Sequence, residues 1–383
     1  MKFITLFLII VTSLHAESIK VGILHSLTGT MALSEKPVVD ATLLAIEQLN
    51  QQGGLLGKKI VPIIIDGASA DDEFAKGAEK LIIDEKVSVV FGCWSSASRK
   101  AVKPIFEKHN HLLFYPIQYE GSESSENIVY TGAAPNQQII PGTKWCADNL
   151  GKRFFLVGSD FIFSKKASEI IKKVINSVDG EVVGEAYIPL GSDQVANVVE
   201  TIVKADPDVI LNTINGDTNQ FFFNELRRRE VSASKTPTMS FSIGINEILK
   251  FGLIDKSIGD YACCNYFQSI ESEENDLFIE SFRHKFGQKR HLSDPMEAAY
   301  IGVHLWAQAV IEANVDDAKS VAQKIKGQVY LAPEGFVVVD RSNHLWKHVR
   351  IGQLNSHGEF SIVWSSGKLI KPNPYPFPFG DFK

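Results

Sequence analysis

Short apolar runs alternate with helical patterns along this chain, and the alternation is gone through twice. Residues 19–24, 60–65, 87–91 and 112–115 are short and rich in β-branched or aromatic side chains, which predicts buried strands. Between the first two, Val38, Thr42, Ala45, Ile46 and Leu49 recur at helical spacing and are closed by Gly53-Gly54. Behind the acidic start Asp71-Asp72, Phe74, Ala78, Leu81 and Ile82 share a helix face. Pro104 is expected to kink or shorten the helix after the third strand. The second round has strands at 154–157, 182–187, 209–213 and 239–243, with helices at 168–178, 195–203 and 220–229. Such alternation calls for parallel strands with helices on both faces, so the fold class is α/β, two doubly wound parallel-sheet lobes. Helices at 276–286 and 295–313 follow, then a hairpin of 349–354 and 360–364 across Ser356-His357-Gly358. The tail at 372–378 is proline-rich and reads as extended.

A chain of 383 residues has room for about two domains, each with its own core. The formal net charge is -6 and no long basic run occurs, so nucleic acid is not an expected partner. Lys2, the apolar run at 3–11 and Ala16 form a secretory signal peptide, 1–16, with cleavage before Glu17. No cysteine stands near the cut, so a lipid anchor is not expected. Cys93, Cys146, Cys263 and Cys264 show no C-x-x-C or zinc spacing and read as small core residues. The ten histidines are scattered and read as solvated or locally hydrogen-bonded.

Doubly wound sheets bind ligands where strands run into helices. Here the third strand runs into Gly92, Trp94, Ser95 and Ser96, a tight turn in which a serine caps the next helix. That turn offers an indole, two hydroxyls and the free N–H groups of a helix start. Its plain alternative is an ordinary turn with capping serines. Other strands end in Tyr115-Pro116-Ile117-Gln118-Tyr119, Ser159-Asp160-Phe161-Ile162-Phe163 and Asn215-Gly216-Asp217-Thr218-Asn219. Matching loops on two lobes suggest a cleft that closes on a small molecule. There is no G-x-G-x-x-G after a strand, no P-loop, no G-x-S-x-G and no H-E-x-x-H. No nucleophile stands with an evident base, so the expectation is a binding protein, not an enzyme, with no cofactor and no metal.

The segments GILHSLTGTMALSE, FGCWSSASRKAV, LLFYPIQYEG, TGAAPNQQ, FFLVGSDFIF, NTINGD, NYFQS and SDPMEAAY resemble the urea and short-chain-amide branch of the periplasmic solute-binding proteins of ABC transporters. These are type I binding proteins, related to the branched-chain amino acid binders. The resemblance runs from about Ile19 to the C-terminal hairpin. It implies the type I periplasmic binding protein fold, with a ligand cleft between lobes that the chain crosses three times, near Ala133-Ala134, near Gln268-Ser269 and at 332–335. One lobe is then 17–134 plus 269–334, the other 135–268 plus 335–383. It also implies a pocket built from Trp94, Ser95, Ser96, Tyr115, Gln118, Phe163, Asp217 and Tyr266.

In that pocket Asp217, Gln118 and tyrosine hydroxyls accept N–H donors, and the serines and nearby backbone donate to a carbonyl oxygen. Trp94, Phe163 and Tyr266 form walls. Each aromatic has core packing as its alternative role, and Asp217 has a helix N-cap. The resemblance implies urea or a similar small amide as ligand, ABC transporter permease subunits as partners and a periplasmic location. A sensor presenting urea to a membrane receptor or kinase is the alternative, and an exported amide-hydrolysing enzyme comes third. Two departures stand out: Phe161 and Phe163 where relatives often carry tyrosines, and Ile245-Asn246 before Glu247 where they tend to carry an acidic run.

Overall fold

A computed structural model describes residues 17–376. The expected export segment and the last two residues of the expected tail, 377 and 378, lie outside the described residues. The first sheet has five parallel strands in the order Lys59–Asp66, Ser18–His25, Val90–Gly92, Leu113–Tyr115, Ile128–Tyr130. The second has seven: Phe360–Ser365, Arg350–Leu354, Tyr261–Cys264, Thr238–Ser240, Val209–Thr213, Arg153–Ser159, Glu181–Ile188. Its first two are antiparallel additions to a parallel set. The central strands are buried along their length, because helices cover both faces and leave no wet side.

Several helices differ from the expectation in ways that matter for the cleft. Ala32–Gln51 begins earlier than its apolar repeat suggested, which brings Glu35 into its first turn. Ile162–Ser177 also begins early and so carries Phe163. Ser96–His109 continues past Pro104, whose ring does not end it, and closes on the left-handed Asn110 at φ 48°. Unforeseen elements are the edge strand Ile128–Tyr130, the strand Tyr261–Cys264, the helices Ile139–Asn149, Ile245–Lys250, Ile254–Ser257 and Ala318–Lys324, and a third sheet.

That third sheet is antiparallel, Val329–Ala332, Gly335–Val339 and Leu345–Trp346. Its Ala332, Val337, Val339 and Leu345 pack into the core of the first lobe. A crossing at 332–335 would cut this hairpin in two. The next core residues, Val349 and Ile351, belong to the second lobe, so we place the third crossing between Trp346 and Val349.

A buried charged cluster ties the connections together. Lys347 Nζ lies 2.9 Å from Glu334 and donates to the carbonyl of Thr131 at 2.9 Å. Arg350 donates to the carbonyls of Asn265 and Glu334. Asp294 accepts the N–H groups of Asn265 and Tyr266 at 2.9 and 2.7 Å. Burial first, and then mutual repulsion with Glu334, pushes the Glu297 carboxyl well above its ordinary range. Thr131, Asn265 and Lys347, near the three proposed crossings, thus meet one buried set of charges.

Candidate ligand-binding site

The turn after Val90–Gly92 needs glycine. A Cβ on Gly92 would sit 2.2 Å from the carbonyl oxygen of Leu24 on the neighbouring strand. The chain then bends through Cys93, at φ 67°, and presents Trp94 and Ser95 ahead of the helix Ser96–His109. Ser95 is the N-cap, its hydroxyl accepting the N–H of Ser98 at 2.9 Å. Both serine hydroxyls are already committed: Ser95 donates to Ser98 Oγ at 3.1 Å, and Ser96 donates to Glu120. The free donors are therefore backbone. Among the described residues, no protein acceptor takes the N–H of Ser96 or of Ala97, and both residues line a cavity.

This cavity lies between the lobes and has a volume of about 230 Å³. Trp94, Ser95, Ser96, Gln118 and Phe163, five of the eight expected site residues, line it. The other three do not. Tyr115 points into the first-lobe core, where its hydroxyl donates to the carbonyl of Trp94 at 2.7 Å and supports the turn from below. Tyr266 is also buried, its hydroxyl donating to Asn275 Oδ1 at 2.7 Å. Asp217 takes the N-cap position of Thr218–Arg228 without a side-chain capping bond, and burial pushes its carboxyl up. The residue of that loop that reaches the cavity is Asn215, whose Nδ2 donates to the carbonyl of Thr213 at 3.2 Å while Oδ1 takes no protein donor. Between them Gly216, at φ 63°, turns the chain; a Cβ there would stand 3.4 Å from the carbonyl of Thr30 on the facing lobe.

The loops after the first two strands supply the wall that the sequence reading missed. Ser26, Glu35, Ser69 and Asp71 all reach the cavity. Asp66 pins these loops, accepting from the N–H groups of Leu27 and Ala68 at 2.7 and 2.8 Å and from the Thr28 hydroxyl at 2.7 Å. Burial alone would push Asp66 up, but these bonds outweigh it and hold its carboxyl below the usual range. Glu35 Oε2 lies 2.8 Å from both His25 Nδ1 and the N–H of Ser26, while Oε1 takes no protein donor. Of the histidines expected to be solvated or locally hydrogen-bonded, His25 and His344 are fully buried, and His344 Nδ1 lies 2.7 Å from the carbonyl of Ser342 two residues away. Burial, then the Asp72 charge, pushes Asp71 up. No lysine or arginine side chain lines the cavity among the described residues; Phe74, Phe161, Phe163, Leu190 and Met31 complete its walls.

Behind the turn, Arg99 is wholly buried and joins the two motifs FGCWSSASRKAV and LLFYPIQYEG. Its guanidinium donates to Glu123 at 2.9 Å and Glu120 at 3.2 Å, and lies over the rings of Tyr115 and Tyr119 at 4.9 and 4.7 Å. Burial would raise Glu123; the charges of Arg99 and Lys100 overcome it and hold the carboxyl at about 2. Opposite, Gln118 Nε2 crosses to the second lobe and donates to the carbonyl of Phe241 at 2.9 Å. The cysteines are free: Cys93, Cys146 and Cys263 are buried and Cys264 is half-buried. No helix among the described residues is long and apolar enough to cross a membrane.

Comparison with known proteins places this architecture. The model of the periplasmic binding protein domain matches residues 19–378. The Leu/Ile/Val-binding protein homolog 6 of Brucella melitensis biotype 1 is 23% identical over 362 residues, 92% of this chain and 91% of that protein. A shorter match to a protein named limonene hydroxylase, from Geobacillus stearothermophilus, is 33% identical over 116 residues, 30% of this chain and only 21% of that one. Among solved structures, a solute-binding protein of an ABC transporter from Rhodopseudomonas palustris BisB5, in complex with 3,4-dihydroxybenzoic acid, superposes with TM-score 0.80 at 21% identity, over 91% of this chain and 97% of that one. LivJ of Streptococcus pneumoniae, in complex with isoleucine, gives TM-score 0.80 at 19% identity, over 93% and 100%. The chain belongs to the periplasmic binding protein family, with the type I fold of two α/β lobes around a ligand cleft.

Proposed function

We propose that this protein captures urea, or a similarly small neutral amide, between its lobes in the periplasm and delivers it to the permease subunits of an ABC importer. One observation carries the reading: the cavity offers acceptors on several sides, the free backbone N–H groups of one helix start, and, among the described residues, no lysine or arginine side chain. Urea is the complement of such a site, with one carbonyl oxygen and two NH₂ groups. Its oxygen would take the N–H groups of Ser96 and Ala97, where the helix also presents its positive end. Its NH₂ groups would face Asn215 Oδ1, Gln118 Oε1 and Glu35 Oε1. At about 230 Å³ the cavity lies below the range of roughly 300–1,000 Å³ usual for drug-sized ligands. Urea leaves part of it to ordered water.

The same geometry favours one other reading. The helix start can hold a carboxylate, Glu35 and Asp71 an ammonium, and the phenylalanines an aliphatic side chain, so a branched-chain amino acid also fits; the relatives' names point the same way. Small-angle scattering separates the two. Millimolar urea should make the particle more compact while leucine and isoleucine leave it unchanged; compaction by the amino acids alone would transfer the assignment to them.

A further inference from the structure

A second chamber, of about 40 Å³, lies behind Trp94 and Gln118, between the lobes and toward the charged cluster. Its polar lining comes from Gln138, Ser242, Glu247, Ser293 and Asp294. Gln138 lines the chamber and donates its amide N–H to the carbonyl of Phe241 at 3.1 Å. Its own amide oxygen is buried and has no partner, while the residue is 2% exposed. Leaving a buried amide oxygen unpaired is costly, so an absent donor is the physical explanation. Glu247 Oε2 takes the N–H of Gly244 at 3.1 Å, and its Oε1 takes no protein donor. Asp294 uses Oδ1 for two backbone N–H groups and leaves Oδ2 without a protein donor. The Ser242 hydroxyl is spent on the carbonyl of Ile214 at 2.7 Å. No lysine or arginine lines the chamber among the described residues.

The main cavity sets the free N–H groups of a helix start beside its acceptors, whereas this chamber has the carboxylates of Glu247 and Asp294 and the unpaired amide oxygen of Gln138 with no such helix start. We infer that it is a binding site for a small N–H-rich cation of the ammonium or guanidinium class, held by Gln138 Oε1, Glu247 and Asp294. Guanidinium has the shape of urea with the carbonyl oxygen replaced by a third NH₂ group, so the two spaces on either side of Trp94 would sort a neutral amide from its cationic isostere. A water needs at least about 10–15 Å³ of such space, so the chamber admits ammonium readily. The cation has two possible sources, a free ion or the cationic head of a longer ligand whose remainder lies in the main cavity.

Ammonium chloride, guanidinium chloride at millimolar, non-denaturing concentration, and agmatine as the longer ligand are the probes, with tetramethylammonium and sodium chloride as controls. Melting temperature and Trp94-sensitive fluorescence should respond to the N–H cations and not to the controls. Glu247→Gln and, separately, Gln138→Leu should each weaken that response roughly tenfold or more, with urea affinity measured alongside. A response to agmatine alone assigns the chamber to a ligand head, and one to ammonium or guanidinium assigns it to the free ion. No response to any of the three, an equal response to tetramethylammonium, or a response retained in both variants would overturn the inference. Urea binding that fails while the cation response stands would sink the proposed function and leave this site in place.

Discussion

The side-chain amide of Gln118 donates to the backbone carbonyl of Phe241 at 2.9 Å, and the two residues stand on opposite lobes beside the ligand cavity. A bond of this kind exists only when the lobes are together, so it adds to the closed form whatever the ligand contributes. Gln118→Leu removes this bond and also the Oε1 acceptor proposed for the ligand, so it should weaken ligand binding by at least roughly threefold to tenfold, the worth of one neutral hydrogen bond, with little change in unfolding of the ligand-free protein. Titration calorimetry and thermal melts read the two effects separately. Unchanged affinity would mean that the bond persists in the open form.

Asn215 and Asp217 differ in their reach into the cavity, and their variants should differ too. Asn215→Ala should lower affinity about tenfold by removing an acceptor from the cavity. Asp217→Ala should change affinity less than twofold, because its side chain does not line the cavity. The reverse order in calorimetry would restore the role that the sequence suggested for Asp217.

Glu123 ties the ligand turn to the core through Arg99. Glu123→Gln leaves a buried guanidinium short of a counter-charge, at a cost of about 3–5 kcal/mol, which chemical denaturation would read. The pH dependence has a definite sign. The folded carboxyl titrates at about 2, below its ordinary 4.5, so its contribution is complete above 4.5 and is lost as the pH falls toward 2. The variant should lose less stability than the parent across that window.

His344 adds an earlier step. It stacks on Tyr130 at 4.2 Å and touches the Tyr119 hydroxyl at 2.6 Å, and burial pulls its pKa from 6.5 down to about 4. A neutral imidazole is therefore fully stabilising above 6.5, and about 3 kcal/mol is lost as the pH falls through 4. His344→Phe should be less stable at neutral pH yet show a shallower fall between pH 6.5 and 4. Equal slopes in unfolding free energy would show that His344 does not carry this step.

The main strands and the cleft were legible because β-branched runs mark buried parallel strands and ligands gather where such strands end. That logic named Trp94, Ser95, Ser96, Gln118 and Phe163, which line the cavity between the lobes. It failed by one turn of geometry elsewhere. Alternation along Leu113–Tyr115 sends the Tyr115 ring into the core, and the positive φ of Gly216 presents Asn215 in place of Asp217. Glu35 went unseen because the helix Ala32–Gln51 starts ahead of its apolar repeat. The third sheet has strands too short for a period to show, so the last crossing was set too early. The function of Arg99, a buried charge inside a helix that reads as amphipathic, lies in contacts with Glu120 and Glu123 that no local pattern reports.

The most direct test is calorimetric titration of the purified protein with urea, acetamide, isoleucine and 4-hydroxybenzoate. The best small ligands gain at most about 1.5 kcal/mol per heavy atom, which limits urea to a dissociation constant of roughly tens of micromolar. Acetamide strands an acceptor meant for an NH₂ group, which costs about 1–3 kcal/mol. Urea should therefore bind at least about tenfold tighter than acetamide, and both acids should give no heat. Tight binding of isoleucine or 4-hydroxybenzoate with no heat from urea would contradict the account.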